Sequence, residues 1–168
     1  MTTETTCRFR SPTPDDRGLI AELLEASYAE LLAARPEQAV AYRAAWAATD
    51  RDTFDHPDTI GRCVLISERD GDAVGFVSWD PRRLPEEGEI GQHCIAPAHR
   101  GHGLGTAQVR EAMRLLREGG ARRIVASTED HPVFAPAAAL YRACGFHEEE
   151  RTHTERFGGL ELIRFAWP

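Results

Sequence analysis

The chain of 168 residues contains no lysine and no asparagine; all 20 of its Lys/Arg positions are arginine. Both missing residue types use AT-rich codons, and alanine and arginine abound, which points to a bacterial genome of high GC content. The absence has a chemical consequence, because no lysine side chain is offered for acylation of the protein itself. It also excludes a P-loop, whose glycine turn must end in Gly-Lys-Ser/Thr. The four cysteines, Cys7, Cys63, Cys94 and Cys144, stand singly with no CxxC pair. Neither a zinc ribbon nor a disulfide framework is indicated. No apolar run approaches the roughly 20 residues of a membrane helix. The opening MTTETTCRFRSP lacks the apolar core of a secretory leader, so the expected location is the cytoplasm. A net charge of −7 disfavours broad nucleic-acid binding. Repeats, low-complexity tracts and linkers are missing too, and residues 1–168 read as one domain.

What is present is an alternation of strand and helix signals. CRFR reads as a first strand. DDRGLIAELLEASYAELLAA reads as one helix with a leucine stripe, and Pro36 opens a second, PEQAVAYRAAWAA. The polar TDRDTFDHPDTIG reads as a loop. RCVLISE and AVGFVSW flank Asp70-Gly71 as a hairpin. Glu89–Ile95 is the next strand. TAQVREAMRLLREGG is an amphipathic helix with Val109, Ala112, Met113 and Leu116 on one face, stopped by Gly119-Gly120. RIVAST is a strand, PAAALYRACG a short helix, and a hairpin closes the chain around Gly158-Gly159. The order implies an α/β fold with a mixed sheet.

One stretch needs a special explanation. HRGHGLGT, residues 99–106, places Gly101, Gly103 and Gly105 between a strand and a helix. Glycine is costly to order, so three in five positions serve a purpose. Helix N-terminal N–H groups lack intrahelical partners and carry partial positive charge, and glycine lets an anion reach them. The dinucleotide pattern GxGxxG fails, because Thr106 stands where its third glycine belongs. The pattern Arg-x-x-Gly-x-Gly fits at Arg100, Gly103 and Gly105.

That pattern, within CIAPAHRGHGLGTAQV, resembles the coenzyme-binding segment of the GCN5-related N-acetyltransferase (GNAT) superfamily. ALYRACGFHEE resembles its second marker, and RIVAST lies between the two. The likeness covers most of the chain and is strongest over residues 89–150. It implies the acyl-CoA N-acyltransferase fold, a central mixed, mostly antiparallel sheet flanked by helices. It implies acetyl-CoA as donor and an amine as acceptor, with direct transfer in a ternary complex. The backbone of Arg100, Gly101, His102, Gly103, Leu104, Gly105 and Thr106 would cradle the pyrophosphate, with Arg100 adding a charged donor at the mouth. Strand residues Cys94, Ile95 and Ala96 would hold the pantetheine arm. Tyr141 matches the tyrosine near the coenzyme sulfur. A homodimer is compatible with the family.

The acceptor amine must lose a proton. Glu89 and His93 are the side-chain candidates for the base, and a chain of waters is the third. By the period of two, Glu89, Gly91 and His93 are expected on one strand face. No metal is expected, because the adjacent His93 and Cys94 point to opposite faces and cannot converge with His99 and His102. Phe134 or a neighbour stands where many family members carry an asparagine. Glu129 or Asp130 could face a cationic acceptor or form a solvated loop. A non-catalytic acyl-CoA sensor and a transferase of larger acyl groups are the alternative readings.

Overall fold

The computed structural model describes residues 7–168. Of the opening segment read for a leader, residues 1–6 lie outside them. Seven strands form one sheet in the order β1-β2-β3-β4-β5-β7-β6. They are β1 (Arg8–Arg10), β2 (Val64–Arg69), β3 (Asp72–Asp80), β4 (Gly88–Ile95), β5 (Ile124–Glu129), β6 (His147–His153) and β7 (Glu161–Trp167). Every neighbouring pair is antiparallel except β4–β5. Helices α1 (Leu19–Ser27), α2 (Ala29–Ala34) and α3 (Ala39–Asp55) cover one face, and α4 (Leu104–Glu118) and α5 (Ala135–Ala143) the other.

The amphipathic stripe of α4 does what its spacing predicts. Val109, Ala112, Met113 and Leu116 are buried against Val77, Ile90 and Ile124. Each large aliphatic side chain buried this way contributes about 1.5–3 kcal/mol. On the opposite face Ile20, Leu24 and Trp46 pack on Ile66, Phe76 and Cys94.

Two helix assignments differ from the sequence reading. The long first helix is interrupted at Tyr28, whose backbone (φ −115°, ψ 25°) separates α1 from α2. Asp15 and Asp16 lie in a separate 3₁₀ turn before it. The segment expected to be a loop after Ala48 is helical as far as Asp55. Thr49, Asp50 and Thr53 in it are partnered within the protein. The Thr49 and Thr53 hydroxyls donate to the Ala45 and Thr49 carbonyls. Asp50, only 5% exposed, accepts from the N–H groups of Gly18, Ile20 and Ala21. A buried carboxylate thus satisfies the open N–H groups at the start of α1 and fixes α1 on α3.

The parallel β4–β5 pair is short. Registry runs only from Gly88↔Ile124 to Ile90↔Ala126, and then the strands part. A bulge in β4 accompanies the split. Val77 pairs His93 and Trp79 pairs Ile90, so three steps on β4 oppose two on β3. A Cβ on Gly91 would lie 2.4 Å from Ser78 Oγ and 3.2 Å from its carbonyl oxygen, so only glycine fits there. The bulge resets the alternation. Ile90 and His93 lie on the α4–α5 face with Trp79 and Val77, whereas Glu89 pairs Asp80 on the α1–α3 face. The expectation that Glu89 and His93 share a face is therefore wrong, because the period of two assumes an unbulged strand.

Candidate active site

The glycine stretch follows β4 through a short 3₁₀ turn, Pro97–His99. Gly101 (φ +79°) and Gly103 (φ +77°) adopt left-handed backbone, and Gly103 is the N-cap of α4. A Cβ at either would meet nothing within 4 Å, so the space above the loop is open. The first N–H groups of α4 face that space, beside the positive end of a 15-residue helix. Gly105 has a different task. Its Cβ would sit 2.8 Å from Leu140 Cδ1, so its bareness lets α4 approach α5.

Arg100 is not the free cation expected at the mouth. Its Nε donates to the Ile95 carbonyl (3.0 Å) and its Nη2 to the Ser27 carbonyl (2.7 Å). Ser27 ends α1, where helix carbonyls lack partners and attract a cation. Arg100 thus ties β4 to α1, and its backbone remains in the loop. The exposed His102 faces the His99 carbonyl through Nδ1, 3.4 Å away. Thr106 and Leu104 line the cleft with the glycines.

The strand beside the loop is half engaged. Ala96 N–H donates to Val74 on β3, and the Cys94 carbonyl accepts from the buried Gln108 side chain. Strand alternation turns the peptide groups of His93 and Ile95 toward the side where β5 has left. The Ile95 carbonyl there accepts from Arg100 and, at 3.3 Å, from Ser27 Oγ. Burial pushes the Cys94 thiol up to about 11, so it is no thiolate nucleophile at neutral pH.

Two cavities meet where the strands part. One, of about 390 Å³, runs along Gly101–Thr106 and β4. The other, of about 360 Å³, opens between α3, β4 and β5. Both are lined by Tyr28, His93, Phe134 and Ala137. Tyr141, 3% exposed, lines the second at this junction. Its ring packs on Phe146 and Phe165, and its hydroxyl lies 2.8 Å from His93 Nε2. Burial drives the phenol's pKa upward, so Tyr141 keeps its proton. Burial also depresses His93 to about 4, so its imidazole is neutral and does not hold an extra proton as a cation.

Glu89 lines the second cavity, half-buried, with no hydrogen-bond or ion-pair partner among the described residues. Its pKa is raised, first by burial and further by Asp80 and Glu87, against the opposing charges of Arg164 and Arg83. Glu129 lines the same cavity and accepts from Tyr42 Oη at 3.2 Å. Asp130 does not join it, being paired with Arg151 at 2.9 Å on the surface. Phe134 packs against Tyr28, their ring centroids 5.4 Å apart, so an aromatic wall occupies the place considered for asparagine. Sequence reasoning missed Tyr28, Tyr42 and Trp46. The i, i+4 spacing of Tyr42 and Trp46 in an alanine-rich helix was the available signal. Among the described residues no three His, Cys, Asp or Glu side chains gather as a metal site.

Known proteins share this architecture. The family model described as "Acetyltransferase (GNAT) family" matches residues 20–146. A streptothricin acetyltransferase of Streptomyces lavendulae is 33% identical over 100 residues, 56% of this chain and 49% of its own. The chain thus spans about half the length of that relative. A GCN5-related N-acetyltransferase from Rhodopseudomonas palustris superposes with TM-score 0.74 at 21% identity, covering 99% of this chain and 98% of its own. A Salmonella typhimurium protein solved with its cofactor acetyl-CoA superposes with TM-score 0.68 at 21% identity, covering 96% and 92%. With the family model matched over residues 20–146, on a seven-stranded sheet that parts between β4 and β5 and joins α4 through the glycine loop, this chain belongs to the GNAT acetyltransferase family.

Proposed function

We propose that the protein transfers the acetyl group of acetyl-CoA to a primary amine by direct attack in a ternary complex, and that residues 1–168 form one cytoplasmic acetyltransferase domain. The observation that carries this reading is the meeting of two cavities at Tyr28, His93, Phe134 and Ala137, beside Tyr141. One cavity suits the donor. The N–H groups from Gly101 to Thr106 take the pyrophosphate, and the turned-out peptide groups of His93 and Ile95 take the pantetheine arm as an added strand would. The thioester then lies at the junction. The Salmonella structure with acetyl-CoA supports this donor.

The other cavity suits a cationic acceptor. Its walls are largely aromatic, and its two carboxylates, Glu89 and Glu129, outnumber the one arginine in its lining, Arg156. The relative named for streptothricin supports a small amine-bearing acceptor. Glu89 takes the first proton of the ammonium. The freed amine attacks the carbonyl carbon, the C–N bond forms and the C–S bond breaks. Tyr141 gives its proton to the leaving thiolate. With Cys94 held as a buried thiol, no acetyl-cysteine step is needed.

Initial rates of thiol release, with acetyl-CoA and a panel of primary amines, test this. Intersecting lines are expected; parallel lines or an isolable acetyl-protein contradict the ternary complex. Glu89→Gln should lower kcat/KM about 10²-fold near pH 7. As the base, Glu89 must be ionised, so wild-type activity should fall as pH drops through its raised pKa, above the usual carboxylate range. The glutamine variant should lack that limb. An unchanged profile would remove Glu89 from the role.

A further inference from the structure

Tyr141 has one hydrogen-bond partner among the described residues, His93 Nε2 at 2.8 Å. The two rings meet edge to face with centroids 5.6 Å apart. Once Tyr141 gives up its proton, a phenolate is left against Phe146 and Phe165 with no cation in contact. Tyr28, Glu89 and Cys144, the other titratable groups that bear on it, all disfavour the phenolate. It must be reprotonated at once, and His93 is the group in reach. His93 Nδ1 has no protein partner among the described residues, and the ring lines both cavities.

We infer that His93 is a positioning and proton-relay residue that orients the Tyr141 hydroxyl and returns the proton Tyr141 gives to the thiolate. The inference rests on Tyr141 as the acid of the proposed reaction. A primary ammonium sheds two protons on acetylation. The first goes to Glu89 before attack. The second leaves the nitrogen after the C–N bond has formed, and His93 Nδ1 takes it, directly or through one water. In the same step Nε2–H passes its proton to Tyr141 Oη, and the Tyr141 proton goes to sulfur as the C–S bond breaks. Protons balance, and His93 ends as its other neutral tautomer, to be reset by exchange with solvent. Before reaction the relay requires the Nε2–H tautomer, which leaves the Tyr141 proton free to point at sulfur.

Nitrogen-15 NMR of histidine-labelled protein reads that tautomer without any acceptor. A neutral Nε2–H ring from about pH 5 to about pH 8 is expected, consistent with a pKa depressed to about 4. A dominant Nδ1–H tautomer, or a cationic ring at about pH 6, would overturn the relay. Kinetics with acetyl-CoA and the fastest amine of the panel give the second arm. His93→Gln keeps an N–H beside Tyr141 but cannot pass a proton through a ring, so kcat should fall about 10²-fold with acetyl-CoA affinity within about twofold of wild type. Free imidazole should restore part of the His93→Ala rate; wild-type kcat in His93→Gln, or no response to imidazole, would overturn the role. A wild type that releases no thiol with any amine defeats the enzymatic reading and the relay with it, which the tautomer measurement separates from a failure of His93 alone.

Discussion

Replacing Tyr141 with phenylalanine should lower kcat by about 10²- to 10³-fold while leaving acetyl-CoA affinity within about threefold. The substitution removes one oxygen and keeps the ring that packs on Phe146 and Phe165. The helix bearing it loses no apolar contact. Inside the protein only the bond to His93 Nε2 is lost. Leaving that nitrogen without its partner should cost about 1–3 kcal/mol of stability, seen as a modest fall in Tm. Chemistry suffers more, because the thiolate then leaves without a side-chain proton donor beside it. Steady-state kinetics, calorimetric titration and thermal melting together separate these effects. Wild-type kcat in Tyr141→Phe would show that the thiolate is protonated by another route.

Gly103→Val should weaken acetyl-CoA binding by at least about 30-fold, or roughly 2 kcal/mol. Two effects combine. Gly103 has φ +77°, which a β-branched residue adopts only with strain. Its Cβ would meet no protein atom within 4 Å, so the new side chain projects into the space where the pyrophosphate must reach the N–H groups of α4. Strain alone is controlled by Gly71→Val. Gly71 has φ +89° and equally open surroundings, but sits in the β2–β3 turn, away from both cavities. That variant should lose stability and keep its affinity. Equal affinity loss in both variants would mean that backbone strain, and not occlusion of the loop, is being measured.

The glycine-loop half of the proposed site was legible in the sequence; of the proposed acceptor half only Glu89, His93, Glu129 and Tyr141 were, and its aromatic wall was not. The reason is how each is built. A pyrophosphate cradle is made of backbone, so its requirements fall on consecutive residues at fixed spacing, as in Arg100, Gly103 and Gly105. The acceptor cavity takes side chains from α3, β4, β5 and α5, and no short window holds them together. The hairpin at Asp70-Gly71 and helix α4 were readable for a related reason: each is specified by local chemistry, one by turn residues and one by a 3.6-residue stripe. The second half of α3 hid its helix because Asp50 and Thr53 are polar yet buried, and a reading by polarity places such residues in solvent. The bulge at Gly91 hid the true faces of Glu89 and His93, since one extra residue inverts the alternation beyond it. Arg100 matched the loop pattern by position, but its side chain found the carbonyl of Ser27, 73 residues away in sequence.

Calorimetric titration of the wild-type protein with acetyl-CoA, beside CoA, NADH and ATP, tests the central claim most directly. The account predicts saturable binding of acetyl-CoA and CoA in the micromolar range, with NADH and ATP much weaker because neither carries a pantetheine arm to lie along the open edge of β4. Folded protein that binds none of the four, or binds NADH as well as acetyl-CoA, would contradict it.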